Sequence, residues 1–206
     1  MDDVIPINLA VEDELSENVL REILKQSERN YYIGACYGRK GKDYLRVHCD
    51  AFNNMSKGSP VLLFTDLNKK ECSPLLIREW FPYGKHNNLI FRIAVREVES
   101  WLLAHKNEFA KFLSVSTRLI PDNPDGLDKP KKTLLEIASK SRKRELREAL
   151  IPARGSTATI GPDYNGTLSW FVQKNWDVKI AMENSSSLRR TYNTILTFQP
   201  IYKRSI

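Results

Sequence analysis

Short apolar runs alternate with amphipathic stretches through the first half of the chain. Four runs are typical of strands, at residues 6–11, 31–37, 61–65 and 89–95. The third is continuously apolar up to its last residue, which is the pattern of a strand covered on both faces in a parallel sheet. Apolar residues recur at helical spacing at residues 13–26, 43–55, 74–81 and 96–113. This alternation predicts a three-layer α/β domain with right-handed crossovers.

The second half of the chain has a different pattern. A turn-rich connection at residues 120–126 is followed by helical spacing over residues 133–150 and then by a loop rich in glycine and proline. Two or three further helices follow and end near residue 198. We therefore predict an α/β domain at residues 1–116 and a helical appendage at residues 117–206 that packs on it.

The composition limits the class of protein. The 206 residues are 41% hydrophobic and 28% charged, which is enough apolar content for one core or for one core with a subdomain. No apolar run approaches the length that spans a bilayer. The acidic start, Met1 to Val4, lacks the features of a signal or transit peptide. We therefore expect a cytoplasmic protein that does not enter a membrane.

Covalent catalysis has little support in the sequence. There is no Gly-x-Ser-x-Gly elbow, and no spacing links the histidines to a serine or cysteine. Cys36, Cys49 and Cys72 are odd in number and widely spaced, so we interpret them as reduced structural thiols.

Positive charge exceeds negative charge. Lysine and arginine total 32, against 25 aspartates and glutamates, and the net charge is +7. Part of this excess is concentrated in one stretch of the predicted appendage, in Lys129, Lys131, Lys132, Lys140, Arg142, Lys143, Arg144 and Arg147. A polyanionic partner and a solvated basic helix face explain the cluster equally well.

A glycine-rich turn, residues 37–42, follows the second predicted strand. Its two glycines are separated by two residues and Asp43 follows Lys42, so the turn lacks the spacing of a P-loop. Two interpretations stay open: a plain connection from strand to helix, and a basic turn in which Lys40 and Lys42 contact a nucleic-acid backbone.

Acidic and amide side chains follow three of the predicted strands. Glu12 ends the first strand, Asp66 and Asn68 follow the third, and Glu97 and Glu99 follow the fourth. The carboxyl ends of parallel strands meet at one edge of a sheet, where ligands bind in open α/β folds. Oxygen ligands of this kind suit Mg²⁺ or Mn²⁺ and the chemistry of phosphate esters.

These acids also have ordinary structural explanations. Glu12 suits the first turn of a helix, where it complements the dipole, and Asp66 suits a helix N-cap. Glu97 and Glu99 are two positions apart and point to different faces of the predicted helix, so at most one of them is expected to bind an ion.

The appendage offers two further features. Trp170 and Phe171 are predicted core residues, whereas Tyr164 lies in a predicted loop from which it could stack on a base. Three serines, residues 185–187, predict a helix N-cap, and the arginines that follow make the helix start a candidate phosphate site.

The sequence resembles a known family at several of these positions. A strand that ends in glutamate, followed later by the string F-T-D-L-N at residues 64–68, is similar to the topoisomerase-primase (TOPRIM) fold. The string R-I-A-V-R-E-V-E-S-W-L-L-A at residues 92–104 more closely resembles a family of uncharacterised TOPRIM-like proteins, often encoded beside ATPases in bacterial defence islands. Residues 120–121, 161–165 and 185–188 also resemble that family.

The resemblance implies a TOPRIM-like parallel sheet and metal-dependent cleavage of DNA, or alternatively RNA, with Mg²⁺ or Mn²⁺ as cofactor. It assigns Glu12 as general acid or base or as metal ligand, and Asp66 as the residue that holds the ion. Glu97 or Glu99 would complete the shell. It also implies a partner ATPase. Residues expected to neutralise phosphate are Lys42, Arg92 and Arg96.

Two positions depart from the family pattern. Asn68 stands where a second acid is expected; its amide oxygen is still able to bind Mg²⁺ but carries no charge. His105 stands where the family tends to have aspartate, and histidine suits Mn²⁺ or Zn²⁺ better than Mg²⁺. These departures keep open a second reading, a weakened TOPRIM-like subunit that binds nucleic acid or docks on an ATPase without cutting.

Overall fold

The computed structural model describes residues 4–202. Its four strands are those predicted, and they form one parallel sheet in which β1 and β3 are central and β2 and β4 are the edges. The strands are β1 (Ile5–Val11), β2 (Tyr31–Gly38), β3 (Val61–Asp66) and β4 (Leu89–Ala94). The α/β class with a parallel sheet is therefore confirmed.

Eleven α-helices surround the sheet within the described residues. They are α1 (Glu14–Gln26), α2 (Gly41–Val47), α3 (Cys49–Met55), α4 (Ser73–Trp80), α5 (Glu99–Ala104), α6 (Lys106–Leu113), α7 (Pro130–Ala138), α8 (Arg144–Leu150), α9 (Tyr164–Asn175), α10 (Val178–Asn184) and α11 (Ser186–Thr197). Side chains of α2, α3 and α4 share one apolar cluster with one face of the sheet, and α1, α5 and α9 to α11 share the cluster on the other face. The three-layer arrangement explains why β3 is apolar on both faces.

Three of the predicted helices are interrupted, so their continuity was wrong. The helix predicted at residues 43–55 breaks at His48, the one at 96–113 begins at Glu99 and breaks at His105, and the one at 133–150 is two helices. At two of the breaks a side chain bonds to backbone elsewhere: His105 Nδ1 accepts from the Asp177 N–H at 3.1 Å, and the Ser141 hydroxyl donates to the Leu113 carbonyl at 2.6 Å. Both bonds join residues that are distant in sequence, so periodicity alone does not reveal them.

The helices after residue 116 complete the core of the α/β domain. One continuous cluster of buried apolar side chains includes Leu9 and Leu102 from the first half and Leu168 and Ile195 from the second. The indole N–H of Trp101 also donates to the Ser187 hydroxyl at 2.7 Å. Residues on both sides of the predicted boundary between residues 116 and 117 therefore contribute to the same apolar cluster.

The turn after β2 fixes the position of Glu12. Gly38 has a φ of +94°, and a Cβ there would lie 2.2 Å from the Val11 carbonyl oxygen, so the close approach of the two strands requires glycine. The N–H groups of Arg39 and Gly41 donate to the carbonyls of Val11 and Glu12 at 2.8 and 2.9 Å. The glycine-rich turn therefore anchors the end of β1.

Two predictions about the appendage are wrong. Tyr164 is not in a loop available for base stacking: it is the first residue of α9 and is 2% exposed. Trp170 is not a core residue, because it is 52% exposed and stacks on Phe112, whereas Phe171 is buried as predicted.

The helix N-cap predicted at residues 185–187 is confirmed. Ser185 is the N-cap of α11, and its hydroxyl accepts from the Leu188 N–H at 3.1 Å. The Asp125 carboxylate accepts from the Ser187 N–H at 2.8 Å and thus occupies the helix start that was a candidate phosphate site. All three cysteines are free. Within residues 4–202, no helix has the length and apolarity needed to cross a membrane.

Candidate acidic centre and basic groove

The ends of β1 and β3 bring two of the candidate carboxylates together. Glu12 Oε1 accepts a hydrogen bond from the Asp66 N–H at 2.9 Å and another from the Thr65 hydroxyl. Asp66 Oδ1 in turn accepts from the Val98 N–H at 2.9 Å, just before α5 begins. The parallel register of the strands therefore joins three segments that are far apart in sequence.

Glu99 is the most buried of these acids. It is 1% exposed, its Oε1 accepts from the Tyr164 hydroxyl at 2.8 Å, and the Lys131 ammonium lies 3.4 Å from the same oxygen. The other oxygen, Oε2, is buried and has no hydrogen-bond partner. Burial raises the pKa of Glu99, although Lys131 and Tyr164 act in the opposite direction. A buried carboxylate oxygen without a hydrogen-bond partner is a candidate to bind a further ligand.

Glu97 and Glu99 converge on one residue, although they were expected to diverge. Glu97 lies before the start of α5, and its Oε2 accepts from the backbone N–H of Lys131 at 2.8 Å. Glu99 pairs with the Lys131 side chain. The expectation of different faces assumed that both residues were helical, and only Glu99 is.

The carboxylates influence one another's ionisation. Burial raises the pKa of Glu12. The pKa of Asp66 is raised well above its usual range, first by burial and then by the charges of Glu12 and Glu99. Asp13, which caps α1, also acts on Asp66. We call Glu12, Asp13, Asp66, Glu97 and Glu99 the acidic centre.

Two lysines partly balance the acidic centre. The Lys42 ammonium donates to the Asp66 carbonyl oxygen, and burial lowers its pKa against the pull of Glu12. Burial alone would also lower the pKa of Lys131, but Glu99 and Asp66 outweigh it and raise that pKa. Five carboxylates therefore face two ammonium groups.

A groove of about 840 Å³ opens beside the acidic centre. Glu97 of the acidic centre belongs to its lining, and so do Asn68 and the two lysines that balance the centre, Lys42 and Lys131. The cations that line it, which define the basic groove, are Lys42, Arg46, Lys69, Lys70, Lys129, Lys131 and Lys132. They outnumber its four lining acids, Asp43, Glu79, Glu97 and Asp128. Part of the basic stretch noted in the sequence therefore lines this groove.

Asn68 lies in the loop that follows β3, and Arg96, which follows β4, contacts that loop. Asn68 lines the basic groove and has a φ of +53°, a left-handed conformation that asparagine tolerates well. Arg96 Nη1 donates to the carbonyls of Asn68 and Lys70 at 3.0 and 2.8 Å, so its guanidinium holds this loop in place.

Three other sequence candidates lie away from the acidic centre. Lys40 is exposed, with its ammonium 5.2 Å from the centre of the Tyr44 ring, and it does not line the basic groove. Arg92 projects toward α11, where Nε donates to the Thr191 hydroxyl at 3.2 Å. His105 is buried and accepts a hydrogen bond from the Asp177 N–H, so its side chain makes a structural contact.

The donors of the acidic centre decide whether it fits a divalent ion. In residues 4–202, no three histidine, cysteine, aspartate or glutamate side chains form a group that could hold a metal by themselves. Mg²⁺, however, is commonly held by one or two carboxylates, with waters and substrate phosphates completing its shell. Glu12 and Asp66 offer such oxygens, and Glu99 Oε2 is buried without a partner. The donor chemistry fits Mg²⁺ or Mn²⁺.

The sequence did not predict the roles of two residues of the site. Tyr164 is 65 positions from Glu99, its hydrogen-bond partner. Lys131 was noticed only as one member of a basic stretch. The excess of positive charge in that stretch was the available signal, but no neighbouring residue in the sequence indicated a carboxylate partner for Lys131.

Comparison of the sequence with protein-family models gives no match, and comparisons with curated proteins and with solved structures give none either.

Proposed function

We propose that the protein is a TOPRIM-like nuclease that cleaves phosphodiester bonds of DNA or RNA with the help of Mg²⁺ or Mn²⁺. The observation that carries the proposal is the acidic centre, in which Glu12, Asp66 and Glu99, whose pKa values are raised, lie at the carboxyl end of a parallel sheet beside a basic groove. Perturbed carboxylates in a cleft are a mark of metal and acid–base sites.

In this proposal Glu12 and Asp66 hold the ion, and Glu99 contributes its free oxygen. The bound ion would neutralise charge on the attacking and leaving oxygens of the phosphate. Glu12 also suits a proton acceptor, because burial raises its pKa toward neutrality. Lys131 and Lys42 lie where they could pair with phosphate oxygens.

The basic groove suits the rest of a polynucleotide. Its cations line a groove that also includes Glu97 of the acidic centre, so a strand bound there would lie beside the centre. Contacts of lysine and arginine with phosphates make such binding depend strongly on salt concentration.

The wider setting follows from the family resemblance. We propose a cytoplasmic protein of a prokaryotic defence system, acting with a partner ATPase, because the sequence contains no nucleotide-binding loop of its own.

The test is a cleavage assay on supercoiled plasmid, linear duplex, single-stranded DNA and RNA, in Mg²⁺ or Mn²⁺ and in EDTA. Asp66→Asn and Glu12→Gln should abolish cleavage. Asp128→Asn is the matched control, since Asp128 is an exposed acid that lines the same groove. Cleavage that needs no metal, or that survives in both variants of the centre, would contradict the proposal.

Asn68 supports a second candidate, a subunit that binds nucleic acid without cutting. A neutral amide lines the groove where the resemblance leads one to expect an acid. Binding measured by fluorescence anisotropy, with no cleavage of any substrate, favours this candidate. Asn68→Asp then separates the two functions, because a gain in metal affinity and cleavage would indicate an underlying nuclease site.

A further inference from the structure

A second groove, of about 520 Å³, runs along the outer edge of β4. This side of β4 pairs with no described strand. We call it the arginine groove; its lining includes Arg92, Arg190, Cys72, Ser73, Phe91 and Ile93. It is separate from the acidic centre, and it shares with the basic groove only Leu67.

Arg92 is a half-buried cation with no counter-ion among residues 4–202. Its Nε donates to the Thr191 hydroxyl at 3.2 Å, and no ion pair involves it in the part of the chain that the structure describes. Burial lowers the pKa of Arg92, and the charge of Arg190 lowers it further. Buried charges in proteins are normally paired, because the loss of hydration is otherwise not offset.

The neighbouring charges have the same sign. Arg190 is exposed and donates to the Ser186 hydroxyl at 3.4 Å. Lys85 donates to the Leu89 carbonyl at 2.8 Å. Burial lowers the pKa of Lys85, and the charge of Arg92 lowers it further. Glu71 is the one acid in the lining; it is exposed and forms no ion pair with the described cations. The groove therefore carries an excess of positive charge.

The start of α4 adds hydrogen-bond donors to the arginine groove. Cys72, the N-cap residue, makes no side-chain capping bond, and Ser73 and Pro74 line the groove. The first N–H groups of a helix lack partners within it and carry partial positive charge. Pro74 has no N–H, so among the lining residues at this helix start Ser73 is the donor, through its N–H and its hydroxyl.

We propose that the arginine groove binds a phosphate group. Two guanidinium forks, the Ser73 hydroxyl and the start of a helix match the several oxygens of a phosphate better than a single carboxylate. Phe91 and Ile93 provide an apolar surface for the remainder of the ligand. This site does not depend on the proposed nuclease activity.

The first experiment titrates the full-length protein with inorganic phosphate in EDTA and follows the ³¹P NMR signal. We expect saturable binding that weakens at least about tenfold in Arg92→Met and in Arg190→Met, as for the loss of a charge-assisted hydrogen bond. Arg189→Met, a neighbour on the same helix that does not line the groove, should bind as the wild type does. Because Arg190 is exposed, its variant should fold even if Arg92→Met does not.

Two outcomes would overturn the proposal. One is the absence of saturable phosphate binding by the wild type; the other is binding that persists unchanged in both arginine variants. Asp66→Asn should bind phosphate normally, so a failure of the metal centre and a failure of this site are distinguishable.

A second arm identifies the source of the phosphate. A thymidine dinucleotide with a 5′-phosphate is compared with the same dinucleotide lacking it. Binding that requires the 5′-phosphate assigns a phosphate monoester, and equal binding of both assigns the diester backbone of a nucleic acid. If Arg190→Met weakens neither dinucleotide, the arginine groove is not the phosphate site.

Discussion

The acidic centre and the arginine groove are opposite in charge but share one property. In the acidic centre five carboxylates face Lys42 and Lys131, which leaves an excess of negative charge. In the arginine groove Arg92 and Arg190 have no carboxylate partner among the described residues. Each site holds partly buried charge of one sign, and in each the protein supplies too little of the other.

This difference in sign predicts a different ligand for each site. A divalent cation would remove the excess charge of the acidic centre, and a phosphate would remove that of the arginine groove. A polynucleotide with its metal ion would bring both kinds of charge. Removing single charges and measuring the free energy of unfolding tests this difference between the two sites, and the largest effect is expected at Lys131.

Lys131→Met should lower the free energy of unfolding by about 2 kcal/mol at pH 8, because it leaves the buried Glu99 carboxylate without its cation. This figure is reduced for the exposure of the ammonium group, whose side chain is 38% exposed. At pH 5 the loss should be smaller, because the raised pKa of Glu99 lets it take up a proton and become neutral. Urea unfolding at both pH values measures the difference.

The control for this change is Lys132→Met, on the same helix and exposed. It should change stability by only a few tenths of a kcal/mol. An equal loss in both variants, or one independent of pH, would mean that Lys131 does not neutralise Glu99.

Mg²⁺ or Mn²⁺ should stabilise the protein by about 1.4 kcal/mol at a concentration ten times the dissociation constant. The effect should be present at pH 8 and much smaller at pH 5, because protonated carboxylates bind metal poorly and Glu12 and Asp66 have raised pKa values. Thermal unfolding with and without metal measures it. A shift that survives in Asp66→Asn would place the ion outside the acidic centre.

Asp66→Asn should raise the free energy of unfolding by about 1 kcal/mol at pH 8 without metal. The folded-state pKa of Asp66 lies above its unfolded value, so the stability linked to its proton is complete below the unfolded pKa and is lost as the pH rises through the folded pKa. The asparagine amide does not ionise, so this stability is not lost as the pH rises. Its oxygen is able to keep the hydrogen bond from the Val98 N–H. At pH 4 the gain should disappear, and Asp128→Asn should show none at either pH.

The sequence predicted the sheet well and the site in part. β3 was recognisable because a strand covered on both faces cannot contain polar alternation, and Glu12 and Asp66 were placed together because parallel strands end at one edge. The partners of Glu99 were not predictable, since Tyr164 and Lys131 reach it only through the packing of α7 and α9.

The environment of Arg92 was also predictable only in part. It alternates with Phe91 and Ile93, so it lies on the same face of β4 as Ile90, away from α4. The alternation is visible in the sequence. Which helix covers that face is not, because α11 returns to the sheet after almost a hundred residues of intervening chain.

The bond from Tyr164 to Glu99 has a consequence for the order in which the molecule is made. All four strands and the acids at their ends leave the ribosome before α7 and α9, so a nascent chain holds Glu99 with neither its cation nor its hydroxyl partner. The centre reaches its final charge state only when residue 164 has emerged and packed. Synthesis of the C-terminal half thus times the maturation of a site whose acids all come from the N-terminal half.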